Sequence, residues 1–333
     1  MTQHELAIAI PDPAERPLPR SGRRRRRRLG SPAGRRRPAF LRYWPQYLAI
    51  SPFYILFAVF GLFPVLFSLY LSFHRWSGVG EREFVGLDNY QFLIKDHTFY
   101  QSLWNTVVIW AMSTVPMLFG ALVLAALLHS VARAKGFYRM AFFIPNVTSV
   151  VAMAILFKML FSSNFGLINV VLEWVGLPTY PWTNLPWGVR ISIASLMTWQ
   201  WVGYNAIIYL AGLQTIPNHL YEAAQLDGAG PIRTFFSITV PLLRPVILFT
   251  VVISTITGMQ SFTEAQVMTG SNAATNPNSG GPGQAGLTMV LYFYQQAFSY
   301  NDFGYGAAIA WGIFLIVSVF TVINWRLVAR KED

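Results

Sequence analysis

The sequence predicts an all-α integral membrane protein of six transmembrane helices, and three observations carry that reading. Of 333 residues, 54% are hydrophobic and only 12% charged, too few charges to cover a soluble surface. Six apolar runs, about 48–73, 104–129, 139–161, 189–213, 243–268 and 304–328, reach the ~20 residues needed to cross ~30 Å of hydrocarbon. With an even number of spans both termini share one side, and 20 of the 25 Lys and Arg fall on it. The positive-inside rule then makes that side cytoplasmic.

The net charge of +11 belongs almost wholly to the first 42 residues, where Arg16, Arg20, Arg23 to Arg28, Arg35 to Arg37 and Arg42 stand against three acids. From Tyr43 onward, 13 basic and 11 acidic residues leave +2. Residues 1–44, with six prolines among the arginines, read as a disordered cytoplasmic tail. Its basicity suits contact with anionic lipid or simply retention inside. Nucleic acid is disfavoured because no aromatic residue is interleaved with the arginines before Phe40. The apolar run that follows is too long for a signal-peptide core of ~7–15 residues.

Residues 45–100 contain the first span and an outer loop, SGVGEREFVGLDNYQFLIKDHTFYQS, that reads as a short folded cap. The loop NFGLINVVLEWVGLPTYPWTNLPWG is rich in aromatics and proline, as an interface belt requires, and SNAATNPNSGGPGQAG reads as a mobile outer loop. Residues 101–328 then form the main span-bearing domain. Gly203, Gly212 and Gly258 suit close helix packing.

Between the fourth and fifth spans lies a polar, charge-bearing segment, YEAAQLDGAGPIRTFFSITVPLLRP, at 221–245. Pro217 suits the approach to a helix start, and Glu222 near that start suits the helix dipole. Gly228 provides a swivel. Leu226, Ala229, Ile232, Phe235, Phe236 and Ile238 recur at mixed three- and four-residue spacing, giving an apolar side for a partner. Pro241 and Pro245 end the segment and restart the chain as a span. By spacing alone it reads equally well as a plain amphipathic loop helix.

Glu222-Ala223-Ala224, followed by Gly228 and an apolar stretch ending Ile238-Thr239-Val240-Pro241, resembles the EAA signature of binding-protein-dependent ABC importer permeases. The flanks LAGLQTIPNHLYEAAQLDGAG and PLLRPVILFTVV, with FVGLDNYQFLI and FGYGAAIAWGIF nearer the two ends, resemble the sugar-uptake branch, specifically the maltose- and glycerol-phosphate-type first permease. The resemblance covers roughly residues 45 to 328 and implies a type I ABC importer permease fold. It also implies a segment that docks into a cytoplasmic ATPase through Glu222, Ala223, Ala224, Asp227, Gly228, Ala229, Phe235 and Pro241. The implied partners are a second permease, two copies of the ATPase and an extracytoplasmic sugar-binding protein, in addition to membrane lipid.

The missing sites agree with a partner-driven subunit. None of the four lysines continues as a P-loop, being followed by Asp96, Gly136, Met159 and Glu332. The five histidines are scattered and cysteine is absent, so neither a metal site nor a thiol nucleophile is expected. No cofactor belongs to this chain; ATP and magnesium belong to the partner. Glu264 is the one acid within an expected span, too few for an ion-coupled carrier. Lys158 and Arg190 stand at outer ends, where they can snorkel. A sugar path needs aromatic faces, amides and hydroxyls, which points to Trp199, Tyr204, Asn205, Gln260 and Glu264. Polar side chains of this kind also serve as helix–helix hydrogen-bond partners.

The expected function is therefore import of a sugar across the cell membrane, with YNDFGYGAA at Tyr300–Ala308 pointing to a di- or oligosaccharide. A solute such as glycerol phosphate is the alternative within the class, and a stand-alone carrier or channel the alternative outside it. The chain is not expected to be an enzyme.

Overall fold

The computed structural model describes residues 39–130, 135–270 and 280–329. The arginine tail up to Pro38, the tip of the last outer loop and the C-terminal Arg330 and Lys331 lie outside them. The chain divides into two compact units, Met1–Phe57 and Ala58–Asp333. In the first, the described chain is one helix, α1 (Ala39–Phe57), with Tyr43, Trp44, Tyr47, Phe53 and Phe57 exposed.

The second unit opens on a π-helical turn and α2 (Phe63–Ser72). The expected folded cap follows. His74–Arg75 and Glu83–Phe84 form an antiparallel ribbon, with His74 opposite Phe84 and Arg75 opposite Glu83, ahead of α3 (Asp88–Lys95). Asn89 Nδ2 donates to the Ser72 and His74 carbonyls at 2.9 and 3.0 Å. The Tyr292 and Tyr305 hydroxyls both donate to the Asp96 carboxylate. A carboxylate with several lone pairs can accept both, so the cap is stitched to the C-terminal part of the chain.

Then come α4 (His97–Ser130), α5 (Lys135–Val147), α6 (Val150–Leu160), α7 (Leu167–Trp174) and α8 (Pro186–Leu213). The short α9 (Asn218–Leu226), α10 (Pro231–Thr234) and α11 (Val240–Leu242) lead into α12 (Arg244–Met259). The chain closes with α13 (Thr263–Thr269), α14 (Met289–Tyr294) and α15 (Phe303–Ala329). The interface loop thus contains a helix, α7. Asn169 ties it down, donating to the Ser163 and Tyr180 carbonyls at 3.1 and 3.0 Å and accepting from Trp182 Nε1 at 2.8 Å.

Among the described residues, Gln46–Ser72, His97–His129 and Phe303–Arg326 are long and apolar enough to cross a membrane. Two bent pairs, Gly136–Val147 with Val150–Leu160 and Pro231–Leu242 with Arg244–Met259, raise that number to five, the bends being 91° and 70°. The remaining expected run, 189–213, lies within the continuous helix α8, 28 residues long. The expected run 243–268 is not one helix: α12 stops at Met259 and α13 begins at Thr263.

α4 and α8 form the spine and run in the same direction. Arg190 of α8 reaches Asn105 of α4, Thr198 reaches Ser113, and Asn205 reaches Met117. Pro116 interrupts the bonding of α4, and nearby the Thr198 hydroxyl donates to the Ser113 carbonyl at 3.1 Å, as hydroxyls do where proline disturbs a buried helix. Small residues bring the helices close. A Cβ at Gly203 would fall on the Phe142 carbonyl, so α8 packs backbone to backbone on α5 only because that position has no side chain. One apolar cluster, including Ile109, Ile193, Met259, Met289 and Ile309, fills the cap half. Another, including Ala121, Ala125, Tyr209 and Leu243, fills the half that carries α9.

Candidate functional site

The EAA segment is a helix, a turn and a second helix. α9 starts after Pro217 in extended conformation (ψ 132°), so Glu222 falls in its second turn and not at its N-terminus, where the sequence reading placed it. Asp227 is the C-cap and Gly228 follows at φ +73°. The Gly228 N–H donates to the Gln225 carbonyl at 3.0 Å and the Ala229 N–H to the Ala224 carbonyl at 2.9 Å. Those two bonds, closed over a left-handed glycine, are a Schellman cap. They satisfy carbonyls that the helix end would otherwise leave open.

The cap turns the chain so that one side faces inward. Ala224 is buried, and the Tyr221 hydroxyl lies 3.2 Å from Thr239 Oγ1. Leu226, Ile232 and Phe236 face outward, 90%, 75% and 60% exposed. Glu222, Ala223 and Asp227 are exposed as well, whereas Ala229 and Phe235 are half-buried and line a hollow of about 380 Å³ with His129 and Gln225. Pro241 sits in α11, just before the 70° bend that leads into α12.

The polar interior of the bundle is a cavity of about 170 Å³ at the middle of α4. α4 supplies Ser113, Thr114 and Met117, and α8 supplies Met197 and Trp201. α12 and the link to α13 supply Ser254, Thr257, Gly258 and the run Gln260 to Glu264. The Ser261 hydroxyl is buried without a hydrogen-bond partner, and such a group calls for one. Its carbonyl accepts from Thr288 Oγ1 at 2.8 Å, which fixes the break after α12.

Of the five path residues expected from sequence, the structure brings Gln260 and Glu264 together at this cavity and does not bring the other three to it. Trp199 is 52% exposed on another face of α8, beside Pro116 and Phe157. Tyr204 packs its ring on Trp201 at 5.6 Å and on Phe143 at 6.5 Å. Asn205 is buried, and its Nδ2 donates within α8 to the Trp201 carbonyl at 3.0 Å and across to Met117 Sδ of α4 at 3.7 Å. The aromatic wall is Trp201, two residues from Trp199 and therefore ~200° around the helix from it. A signal for other lining residues was present: Ser254, Thr257, Gly258 and Ser261 recur at i, i+3, i+4 and i+7, the first three on α12 and Ser261 just beyond its end.

A further polar network lies toward the cap. Asn105 Oδ1 accepts from Arg190 Nε and Nη2 at 3.2 and 2.9 Å, and its Nδ2 donates to the Gln284 and Leu287 carbonyls at 2.7 and 3.1 Å. Arg190 is buried here and stacks over Trp187 at 5.0 Å, which replaces the expected snorkelling to the surface. Among the described residues no group of His, Cys, Asp and Glu is placed to hold a metal ion.

Apolar spans around a polar mid-span cavity, with a capped helical handle at one end, define a transport permease rather than a catalyst. Residues 106–331 match the family described as binding-protein-dependent transport system inner membrane component, and the chain belongs to that family of multi-pass ABC importer permeases. It is 36% identical over 283 residues to the arabinooligosaccharides transport system permease protein AraP of Bacillus subtilis (strain 168), covering 84% of this chain and 87% of that one. It is 37% identical to the lactose transport system permease protein LacF of Rhizobium radiobacter, covering 86% and 94%. It is 33% identical to the sn-glycerol-3-phosphate transport system permease protein UgpA of Shigella flexneri, covering 89% and 97%. The fold is similar to a chain of the bacterial alginate ABC transporter solved in complex with an alginate pentasaccharide-bound periplasmic protein, with TM-score 0.72, 21% identity and 86% and 94% coverage.

Proposed function

We propose that this chain is the subunit through which a sugar, specifically a di- or oligosaccharide, crosses the cell membrane into the cytoplasm. The observation that carries the reading is the mid-span cavity, lined by Trp201 together with hydroxyls and a carboxamide. An aromatic face with convergent polar groups is what a sugar needs. The oligosaccharide and lactose systems of its relatives support it. At about 170 Å³ the cavity is below the ~300–1,000 Å³ of a complete ligand pocket, so a second permease supplies the facing wall.

Residues 101–328 serve as the permease domain behind the first span and cap at 45–100. The Schellman-capped segment, with Glu222, Ala223, Ala224, Asp227, Gly228, Ala229, Phe235 and Pro241, passes force from two copies of an ATPase that hold ATP and magnesium. This chain itself holds no cofactor. Both termini lie in the cytoplasm, and a sugar-binding protein delivers substrate from outside. Glycerol phosphate is the second reading, favoured by the likeness to UgpA. The test is uptake of labelled sugars by cells lacking the chain. Loss of an oligosaccharide, restored by the gene, is expected; loss of glycerol 3-phosphate uptake alone would replace the first reading with the second.

A further inference from the structure

We infer that Glu264 makes the central cavity a charge filter, admitting uncharged sugars and turning away sugar phosphates, sulfonates and uronates. The inference rests on the reading of this cavity as the solute path. Among the thirteen residues that line it, Glu264 is the one ionisable side chain; no Lys, Arg or His is present. Arg190 and Lys158, the basic residues of α8 and α6, are committed elsewhere. Arg190 bonds Asn105, and Lys158 lines a separate hollow with Thr183 and Ser192.

The donor and acceptor inventory points the same way. A phosphate or sulfonate brings acceptor oxygens alone and is held by Arg, Lys or converging N–H groups. The lining offers instead hydroxyls that both donate and accept, at Ser113, Thr114, Thr257 and Ser261, the Gln260 carboxamide, and the acceptor-only Glu264 carboxylate. A sugar hydroxyl can donate to that carboxylate and accept from the others, so an uncharged polyol satisfies the wall. An anion would meet a like charge in a small cavity whose low-dielectric surroundings concentrate the field. An ionisable residue at this depth is costly and carries a functional expectation, and a glutamine in its place would serve a neutral sugar without the repulsion.

The absence of native cysteine permits a direct measurement in the full transporter assembled in membranes. Ser261→Cys places a thiol in the cavity, and Thr257→Cys provides a second position should the first disturb folding. The probes are two methanethiosulfonates of equal length, one ending in trimethylammonium and one in sulfonate, each rate divided by that for free 2-mercaptoethanol. With Glu264 present the cationic probe should react about tenfold faster than the anionic one, and in the Glu264→Gln background the ratio should fall to about twofold or less. Equal normalised rates with Glu264 in place would overturn the filter, as would a preference that survives Glu264→Gln. Failure of both probes at both positions, with and without nucleotide, would overturn the path reading and this inference with it.

Discussion

Replacing Gly228 with valine tests whether the geometry of the EAA turn, and not merely its sequence, transmits force. Gly228 sits at φ +73°, and a Cβ built there meets nothing within 4 Å. The cost of a side chain is therefore backbone strain rather than collision. Holding a bulky β-branched residue in the left-handed region costs about 1–3 kcal/mol, which corresponds to about a 5- to 150-fold loss in the population of the capped turn. Asparagine visits that region far more readily, so Gly228→Asn should retain most of the activity. Both variants should fold, because the turn is exposed and the bundle core does not include it. The assay is sugar- and binding-protein-stimulated ATP hydrolysis by the assembled complex, with transport measured in parallel. Valine should lower both well below the asparagine variant while leaving assembly intact. Equal activity in the valine and wild-type complexes, or equal loss with valine and asparagine, would refute the argument from φ.

Three other outcomes are expected. Asn105→Ala removes the acceptor of the buried Arg190 and the donor to two loop carbonyls, a loss of about 1–3 kcal/mol; thermal unfolding in detergent should show it, and Asn105→Asp should recover part by keeping the acceptor. Trp201→Ala should weaken apparent transport affinity by up to about a hundredfold, whereas Trp199→Ala, on another face, should leave it near the wild-type value; radiolabelled uptake against sugar concentration separates them. Deleting residues 1–38 should reduce the fraction of chains inserted with the correct topology, read by protease accessibility, and leave transport per inserted molecule unchanged.

The sequence by itself determined the class of protein, because the signals for it are local. Six apolar runs, the arginine asymmetry and the EAA spacing each depend on neighbours in the chain. The turn at Gly228 was legible for the same reason: a glycine after a helical stretch is the ordinary way to close it. Local readings went astray where breaks intervened, the bend between α5 and α6 inside the expected run 139–161 among them. Glu222 lies a turn inside α9 because the helix starts at Asn218, and the fifth run ends at Met259 because polar Gln260 and Ser261 leave the helix. Only the tertiary structure decided which face of each span turns inward. Lipid tails are as apolar as a bundle core, so a membrane helix carries little amphipathic asymmetry to mark its buried side. On α8 the sequence reading chose Trp199, whereas the residue that lines the cavity with Ser113, Thr257 and Gln260 is Trp201. The burial of Arg190 likewise required Asn105, 85 residues away in the chain, and only the packing of α4 along α8 brings them together.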